Sequence, residues 1–270
     1  MVKMKALIKK ALWTLGYELH PRAFAHPDAS MLRDEVIEGP WTGNTLQVSN
    51  RYYRPPVLRY HRTAFGDDTR SKYITEFLDV RDQRILELGA HEGYHSILLE
   101  KMGVRENIAI ESRPQNLRKC QRIKEKYHLD HTTFVQGDLE RLYGGEDLAS
   151  LNGPFDLVFC LGVLYHLPEP GRGLEWMRSQ SSTLFLGTHY CEGPSTQNDV
   201  TYTYHGKSYR TRKVQESGID DPLSGMSPTS LQLYEYDLLR LIHDVGYSQV
   251  SVLGKDVANR TPHITLLAEA

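Results

Sequence analysis

The sequence predicts an α/β fold: a doubly wound, mostly parallel sheet of seven strands, preceded by an N-terminal helical extension and interrupted by a hairpin insertion. Short apolar runs of strand length alternate with segments of helical periodicity from about residue 71 onward. In addition, the apolar run Ile85–Leu88 ends at Gly89, and a helical pattern begins at Tyr94. A strand, a glycine turn and a helix in this order form a corner where ligands bind at the carboxyl end of a sheet.

The remaining elements follow in order along residues 71–270, which we predict to form the ligand-binding domain. A helix from Tyr73 to Val80 leads into the first strand. The later strands are predicted at residues 107–111, 133–136, 155–160, 183–187, 249–253 and 263–267, and the later helices at residues 116–127, 170–180 and 231–245.

Residues 1–70 are predicted to form an extension outside this domain. Residues 3–19 have a helical pattern with apolar side chains on one side and lysines elsewhere. This helix could pack on the core or on a second subunit of a homo-oligomer, or it could lie on a membrane or a membrane-bound glycan precursor. Arg59 and Arg62, just before the domain, could bind a methionyl carboxylate or an anionic acceptor, with a solvated, ion-paired surface as the alternative.

Length and composition exclude several classes of function. With 40% hydrophobic residues over 270 positions the chain can bury a full core, and its formal net charge of −2 argues against a global attraction to nucleic acid or anionic membrane. Three cysteines stand at unrelated spacings, without a zinc or disulfide pattern, which favours a reducing, cytoplasmic location. No apolar stretch approaches the ~18 residues of a membrane span.

Acidic residues and glycines recur at the ends of the predicted strands. Glu87 lies within the first strand, and Gly89, His91 and Gly93 belong to the turn after it. Glu111 ends the second strand, where a carboxylate can accept hydrogen bonds from both hydroxyls of a ribose. The glycine spacing of the turn does not fit the Gly-x-Gly-x-x-Gly pattern of dinucleotide-binding proteins.

Several segments, in this order, resemble class I S-adenosylmethionine-dependent methyltransferases. Arg84–His95 resembles their motif I, Glu/Asp-x-Gly-x-Gly-x-Gly, with His91 in place of the middle glycine, and the Gly-Val-Leu-Tyr-His of residues 162–166 resembles motif IV. The resemblance implies a Rossmann-like methyltransferase fold with an antiparallel last strand, S-adenosyl-L-methionine as cofactor and S-adenosyl-L-homocysteine (SAH) as product. It also implies that Asp138 holds the adenine amino group. The residues expected to bind the cofactor are Glu87, Gly89, His91, Gly93, Glu111, Ser112, Asp138, Leu139, Leu161 and Tyr165.

Residues 191–228 form a long insertion before the last predicted helix. A His-Gly-Lys turn separates Thr201–Tyr204 from Ser208–Thr211, and within each segment the residue types alternate as they do in a strand. This arrangement predicts a β-hairpin. Long loops in compact domains are usually functional, so we expect this hairpin to act as a lid over the acceptor. The candidate substrate contacts are Tyr190, Tyr204 and Tyr209. The alternative is that tyrosines of the hairpin only pack the ribbon.

Two histidines are candidates for the general base that a hydroxyl acceptor requires. His166 ends motif IV, beside the place to which the resemblance directs the methyl group, and is the first candidate; His189, after the fifth strand, is the second. Tyr165 is expected to contact the methionyl part of the cofactor. His91, His95, His166 and His189 could suggest a metal, but carboxylate partners at fixed spacing are lacking, so no metal is expected.

The acceptor is the least directly predicted feature. The lysine-rich first helix followed by Leu-Gly-Tyr-Glu-Leu-His resembles the starts of methyltransferases from polysaccharide and glycan clusters, which favours O-methylation of a sugar, a glycan or a small hydroxylated metabolite. Motifs I and IV also resemble tRNA wobble-uridine carboxymethyl transferases. Those proteins carry a basic upstream domain that fits poorly with a net charge of −2, so a nucleic acid partner is not favoured. A cofactor-binding regulatory subunit without transfer activity is the other alternative.

Overall fold

The computed structural model describes residues 69–148, 151–194, 196–221, 223–258 and 261–270, nearly all of them within one compact unit, Lys72–Ala270. The predicted helix at residues 3–19 lies outside the described residues, as do Arg59 and Arg62. The division of the chain into an extension over residues 1–70 and a domain over residues 71–270 stays a prediction.

Strands and helices alternate along the described residues. The strands are β1 (Arg84–Leu88), β2 (Glu106–Glu111), β3 (Thr132–Gln136), β4 (Leu157–Leu161), β5 (Thr183–His189), β6 (Asp199–Tyr204), β7 (Lys207–Gln215), β8 (Thr229–Leu233), β9 (Gln249–Ala258) and β10 (Thr261–Glu269). The helices are α1 (Thr69–Phe77), α2 (Tyr94–Lys101), α3 (Pro114–Tyr127), α4 (Leu139–Leu142), α5 (Pro170–Gln180) and α6 (Glu235–Asp244), with short 3-10 turns at Leu164–His166 and Gly218–Asp220. None of these helices is both long enough and apolar enough to span a membrane.

The main sheet confirms the predicted architecture. Among the described residues, seven strands pair in the order β3-β2-β1-β4-β5-β10-β9, and β10 is antiparallel to both of its neighbours while β1 to β5 run parallel. β1 is an inner strand of the sheet. β2 and β3 follow on one side of it, and β4, β5, β10 and β9 lie on the other, so the strand order reverses between β1 and β4. Ligands of such sheets bind outside the carboxyl ends of the strands at this switch point.

Neighbouring residues of the central strands face opposite sides of the sheet. In β1, Ile85 belongs to a cluster with Phe159 of β4 and Leu99 of α2, whereas Leu86 belongs to a second cluster with Val158 of β4. The second cluster also contains buried residues of α5 and α6. Because helices cover both faces, the central strands are apolar along nearly their whole length, which is the pattern of a doubly wound fold.

The insertion forms a second, three-stranded antiparallel sheet in the order β6-β7-β8. The predicted hairpin is present as β6 and β7, which are joined by a two-residue turn in which His205 and Gly206 have φ of 46° and 74°. The predicted helix at residues 231–245 is wrong at its start, because residues 229–233 pair with β7 as β8 and the helix begins only at Glu235. Pairing with a distant strand outweighs the local helical pattern there.

Candidate active site

The turn after β1 adopts the backbone conformation that its glycines predict. Gly89 and Gly93 have φ of 72° and 83°, and His91 between them has φ of 54°, a left-handed conformation that is uncommon for histidine. A β-carbon on Gly89 would lie 2.4 Å from Cγ2 of Val163, in the segment after β4. The ends of the first and fourth strands therefore meet directly, and with them the two segments that resemble motifs I and IV.

The carboxylate of Glu111 lies at the carboxyl end of β2, against this turn. Ser112, another expected cofactor contact, directly follows the strand. One oxygen of the Glu111 carboxylate accepts a hydrogen bond from the backbone N–H of His91 at 2.8 Å, and the other accepts one from the backbone N–H of Arg113 at 2.9 Å. The side-chain amide of Asn116 adds a longer bond of 3.4 Å. Since a carboxylate has about four acceptor sites, Glu111 is fixed in place and keeps acceptor capacity for ribose hydroxyls.

Glu87 lies in the strand before the turn but faces the protein interior. Its buried carboxylate accepts hydrogen bonds from Oγ of Ser96 on α2 at 2.6 Å and from Nδ2 of Asn107 on β2 at 2.8 Å. Burial raises the pKa of Glu87, and the two hydrogen bonds oppose that shift. Glu87 therefore fastens α2 and β2 to β1, and a direct contact between Glu87 and the cofactor stays a prediction.

Asp138 and Leu139 lie just after β3, next to the end of β2. The N–H of Gly137 donates to the backbone oxygen of Glu111 at 3.1 Å and so joins the two strand ends. Asp138 begins α4, where its Oδ1 accepts a hydrogen bond from the N–H of Glu140 at 2.9 Å, while Leu139 is buried. The two acids that were expected to hold the ribose and the adenine thus lie at adjacent strand ends.

The two candidate bases belong to one aromatic cluster at the ends of β4 and β5. After Leu161, the buried last residue of β4, the chain enters the 3-10 turn that ends at His166. The ring centroid of Tyr165 lies 4.1 Å from that of His166 and 4.4 Å from that of His189. Nδ1 of His189 lies 3.1 Å from the backbone oxygen of Pro262, so a neutral His189 carries its proton on Nδ1. The ring of Tyr165 therefore contacts both candidate bases, which lie at the same edge of the sheet.

A carboxylate that the sequence did not indicate completes this cluster. Oε1 of Glu216, just after β7, lies 2.9 Å from Nδ1 of His166, although 50 residues separate the two in the chain. The Glu216 side chain is 6% exposed and accepts further hydrogen bonds from Ser224 Oγ, Ser230 Oγ and the N–H of Gly225. Burial by itself would raise its pKa, but the bonds from His166 and the serines outweigh burial and lower the pKa to about 2. Glu216 is therefore ionised at neutral pH.

The loop between β7 and β8 is attached near the ends of three strands of the main sheet, β2, β3 and β4. We call residues 216–221 and 223–227 the strap. Besides the Glu216 bond at the end of β4, the strap reaches the end of β3, because Oγ of Ser227 donates to Oε2 of Glu140 on α4 at 2.5 Å. At the end of β2, the guanidinium of Arg113 donates to three backbone oxygens of the strap. The strap thus lies along the edge of the sheet that carries the candidate site.

The tyrosines expected to contact the substrate are buried. Each hydroxyl donates to a nearby carboxylate: Tyr190 to Glu192, Tyr204 to Glu175 and Tyr209 to Asp244. Because alternate residues of a ribbon share a face, Tyr204 and Tyr209 of the hairpin both turn toward the helices, where their partners Glu175 and Asp244 belong to α5 and α6. This placement supports the alternative that the tyrosines pack the ribbon, and it gives no support to an aromatic lid. A substrate contact by these residues stays a prediction.

Metal clusters and reactive thiols are both lacking in the part of the chain that the structure describes. No group of three or more His, Cys, Asp or Glu side chains there could hold a metal ion, and independence of the reaction from metal stays a prediction. Cys120, Cys160 and Cys191 are buried and form no disulfide, and burial raises the pKa of each thiol. These cysteines act as small apolar side chains.

Comparison with known proteins gives a family match that coincides with the candidate site. A family described as methyltransferase domain matches residues 85–179, from β1 to α5. Among solved structures, the N-terminal domain of EvdMO1 with SAH bound has a TM-score of 0.69 and 24% identity, and the match covers 90% of this chain and 96% of that one. The same domain in the presence of SAH and D-fucose gives a TM-score of 0.68 and 24% identity, over 93% and 100% of the two chains. At this identity the likeness shows a shared fold.

Curated relatives match shorter stretches. The tRNA U34 carboxymethyltransferase of Campylobacter hominis is 27% identical over 123 residues, which are 44% of this chain and 41% of that protein. A probable phthiotriol/phenolphthiotriol dimycocerosates methyltransferase of Mycobacterium ulcerans is 27% identical over 163 residues, 60% of this chain and 55% of that protein. The chain therefore spans about half the length of these relatives.

The residues at this edge fit the cofactor of the matching family, S-adenosylmethionine. Glu111 presents a buried carboxylate with acceptor capacity for ribose hydroxyls, beside a turn whose left-handed backbone at Gly89 lets a ligand approach closely. Asp138 lies at the next strand end, and Tyr165 lies beyond the switch point at the end of β4. Residues 85–179 therefore match a methyltransferase domain, and the seven-stranded sheet around them has the fold of the class I S-adenosylmethionine-dependent methyltransferases.

Proposed function

We propose that this protein transfers the methyl group of S-adenosylmethionine to a hydroxyl group of a sugar, a glycan or a similar small molecule. The observation that carries the proposal is the pair formed by His166 and Glu216 at the end of β4, with Nδ1 and Oε1 2.9 Å apart. An ionised Glu216 holds the proton of the neutral imidazole on Nδ1, so Nε2 is left to accept a proton. The His166 side chain is 19% exposed, which allows an acceptor to reach this nitrogen.

The roles of the protein groups follow from what methyl transfer to a hydroxyl requires. S-adenosylmethionine, when bound, supplies an activated methyl group. Glu111 and Asp138 would hold its ribose and its adenine. His166 takes the proton from the acceptor hydroxyl at Nε2, and the Glu216 carboxylate stabilises the imidazolium that forms. The Glu216 side chain is only 6% exposed, so water has little access to the carboxylate of this pair.

A sugar acceptor is supported by the extent of the structural likeness. The EvdMO1 domain, whose structure was determined in the presence of the sugar D-fucose, matches 93% of this chain, far more than residues 85–179 alone. A hydroxyl acceptor also agrees with the histidine–carboxylate pair, because methylation of a hydroxyl needs a general base. We therefore favour O-methylation over methylation of nitrogen.

Two alternatives lead to different expectations. Several tRNA U34 carboxymethyltransferases are among the curated relatives, and the match to the Campylobacter hominis protein covers 44% of this chain. A net charge of −2 provides no general attraction for tRNA, which weighs against that acceptor. A regulatory subunit that binds cofactor without transferring methyl groups would have no use for a base, and the pair formed by His166 and Glu216 weighs against this alternative.

The location and the assembly of the protein are part of the proposal. The buried, unlinked cysteines agree with a reducing compartment, and we favour the cytoplasm. A second subunit or a membrane surface as the partner of residues 3–19 stays a prediction.

The test is methyl transfer from isotope-labelled S-adenosylmethionine to a panel of simple sugars, nucleotide sugars, glycans and tRNA, with products identified by mass spectrometry. We expect a labelled methyl group on a hydroxyl of a sugar or glycan. Label found only in tRNA would establish the first alternative in place of the proposal. No label in any acceptor, from protein that still binds SAH, would favour the regulatory subunit.

A further inference from the structure

Arg113 makes contacts that neither of the recognised motifs explains. Its guanidinium donates hydrogen bonds to the backbone oxygens of Gly218 at 3.0 Å, Ile219 at 3.3 Å and Ser224 at 2.6 Å. Arg113 directly precedes α3, two residues after Glu111, and is only 9% exposed. A nearly buried guanidinium that donates to three oxygens is directional, because its planar fork allows few other geometries. Arg113 therefore fixes the two halves of the strap relative to each other and to the end of β2.

The strap leads directly from Arg113 to the proposed base. Ser224, whose backbone oxygen accepts from Arg113, donates its own hydroxyl to Oε2 of Glu216 at 2.6 Å. The N–H of Gly225 donates to the same oxygen at 2.7 Å. The other oxygen of Glu216 is the one that reaches His166. The part of the strap that Arg113 holds thus orients one oxygen of the carboxylate, while Oγ of Ser230 on β8 donates to the other at 2.6 Å.

Apolar packing contributes little to holding this part of the strap. Ile219 is 56% exposed and Leu223 is 38% exposed, although both are large apolar residues in the loop. Hydrophobic stabilisation scales with the apolar area removed from water, so these side chains anchor the loop weakly. The strap is therefore held mainly through hydrogen bonds, and the three that Arg113 donates are the ones that connect it to the end of β2.

Arg113 also contacts the side of the site that is expected to hold the cofactor. Its backbone N–H donates to Oε1 of Glu111 at 2.9 Å. One residue therefore binds the ribose-side carboxylate through its main chain and the strap through its side chain. A shift of the end of β2 would move both contacts together.

We infer that Arg113 is a positioning residue: it holds the strap so that Glu216 stays against Nδ1 of His166, and it links this pair to Glu111. The inference rests on the proposed role of His166 as the base. Its first consequence, the position of the proton on the neutral His166 ring, is measurable without cofactor or acceptor. Failure to methylate any sugar would therefore overturn the proposed function without deciding the role of Arg113. A His166 proton that stays on Nδ1 without Arg113 would overturn this role without deciding the proposed function.

The test is proton–nitrogen NMR of the histidine rings at about pH 8.5, where imidazole is neutral. In the wild-type protein we expect the His166 proton on Nδ1. In Arg113→Ala the strap loses its anchor, and we expect the signals to move to the pattern of a solvated ring, which favours a proton on Nε2. A folded Arg113→Ala protein whose His166 signals match the wild type would overturn the inference.

Arg84 offers a matched control. Its guanidinium also donates to three backbone oxygens of a loop, at residues 152–154, but it lies at the amino end of β1, the opposite edge of the sheet. Arg84→Ala should leave the His166 signals unchanged. An equal change in both variants would show a general loss of stability instead of positioning by Arg113.

Hydrogen–deuterium exchange supplies a second measurement. The variant Arg113→Gln keeps one donor group and serves if the alanine variant does not fold. In Arg113→Gln, the backbone amides of Ser217 and Gly225 in the strap should exchange at least ~10-fold faster than in the wild type. SAH should slow their exchange in the wild type and do so less in the variant. Unchanged exchange in the variant would contradict the anchoring role, and equal slowing by SAH would contradict the link to Glu111.

Discussion

Oε1 of Glu216 lies 2.9 Å from Nδ1 of His166, so a residue of the insertion and a residue at the end of the fourth strand form one pair. Without Glu216, His166 would be a partly exposed imidazole with no fixed proton. With Glu216, the ring has one nitrogen committed to a carboxylate and one available for chemistry. The insertion therefore takes part in the site, and the consequences can be measured separately for stability, binding and turnover.

The Glu216 carboxylate should make the stability of the protein depend on pH. Its pKa in the folded protein is about 2, below the ~4.3 of an unfolded glutamate, so its stabilisation is complete above about pH 5 and is lost as the pH falls toward 2. At neutral pH this contribution is on the order of 2–3 kcal/mol. Urea unfolding at about pH 7 and about pH 3 should show that the wild type loses more unfolding free energy on acidification than Glu216→Gln. Equal losses in the two proteins would contradict the assignment.

The contact between Gly89 and Val163 should make the turn after β1 intolerant of a side chain. An alanine at Gly89 would have φ of 72° and a β-carbon 2.4 Å from Cγ2 of Val163. We expect Gly89→Ala to lower the unfolding free energy by about 2–4 kcal/mol, through backbone strain and overpacking together. Chemical denaturation measures this loss, and Val163→Ala in the same protein should restore part of it.

Gly206, in the hairpin turn, provides the control for this substitution. It has φ of 74°, and an added β-carbon there would meet no atom within 4 Å. Gly206→Ala should therefore lower the unfolding free energy by only about 1–2 kcal/mol, the backbone term alone. Similar losses at Gly89 and Gly206 would show that the contact with Val163 is not tight.

The carboxylate of Glu111 should decide cofactor affinity. Because hydrogen bonds from ribose hydroxyls to a charged acceptor are strong, we expect Glu111→Gln to weaken SAH binding by about 10- to 100-fold, measured by titration calorimetry. Glu106→Gln changes the carboxylate at the amino end of the same strand, where the side chain is 41% exposed, and should leave binding unchanged. Unaltered affinity of Glu111→Gln would rule out the ribose contact.

The Tyr209 hydroxyl should contribute to stability and not to acceptor binding. The ring is buried, and its hydroxyl donates to Oδ2 of Asp244 at 2.7 Å, while Lys207 also donates to that carboxylate. Tyr209→Phe should lower the unfolding free energy by about 1 kcal/mol, and kcat and KM for the acceptor should match the wild type. A raised KM with unchanged stability would instead restore this tyrosine as a substrate contact.

The main sheet could be predicted from the sequence because its signals are local. β1, β2 and β4 are short apolar runs that end at glycines or acids, and the structure has all three within two residues of the predicted positions. The local pattern predicts a helix from residue 231, whereas residues 229–233 form β8, because their conformation depends on pairing with β7, which a local pattern does not contain.

The positions of Glu216 and Arg113 could not be predicted for a related reason. Glu216 meets His166 across 50 residues, and Arg113 meets Ser224 across 111 residues, through a loop whose path is set by its own hydrogen bonds. The hairpin tyrosines show the opposite case. Their alternation predicted the ribbon, but which face of the ribbon meets the helices is decided by tertiary packing.

The most direct test of the account compares turnover and SAH affinity in wild type, His166→Ala and His131→Ala, with the acceptor that the methylation panel identifies. His131 also has a glutamate at its Nδ1, 2.8 Å away, but it lies before β3 at the opposite edge of the sheet and is 59% exposed. We expect His166→Ala to lose at least ~100-fold in kcat with SAH affinity within about twofold of wild type, and His131→Ala to keep both. Turnover of His166→Ala close to that of the wild type would contradict the account.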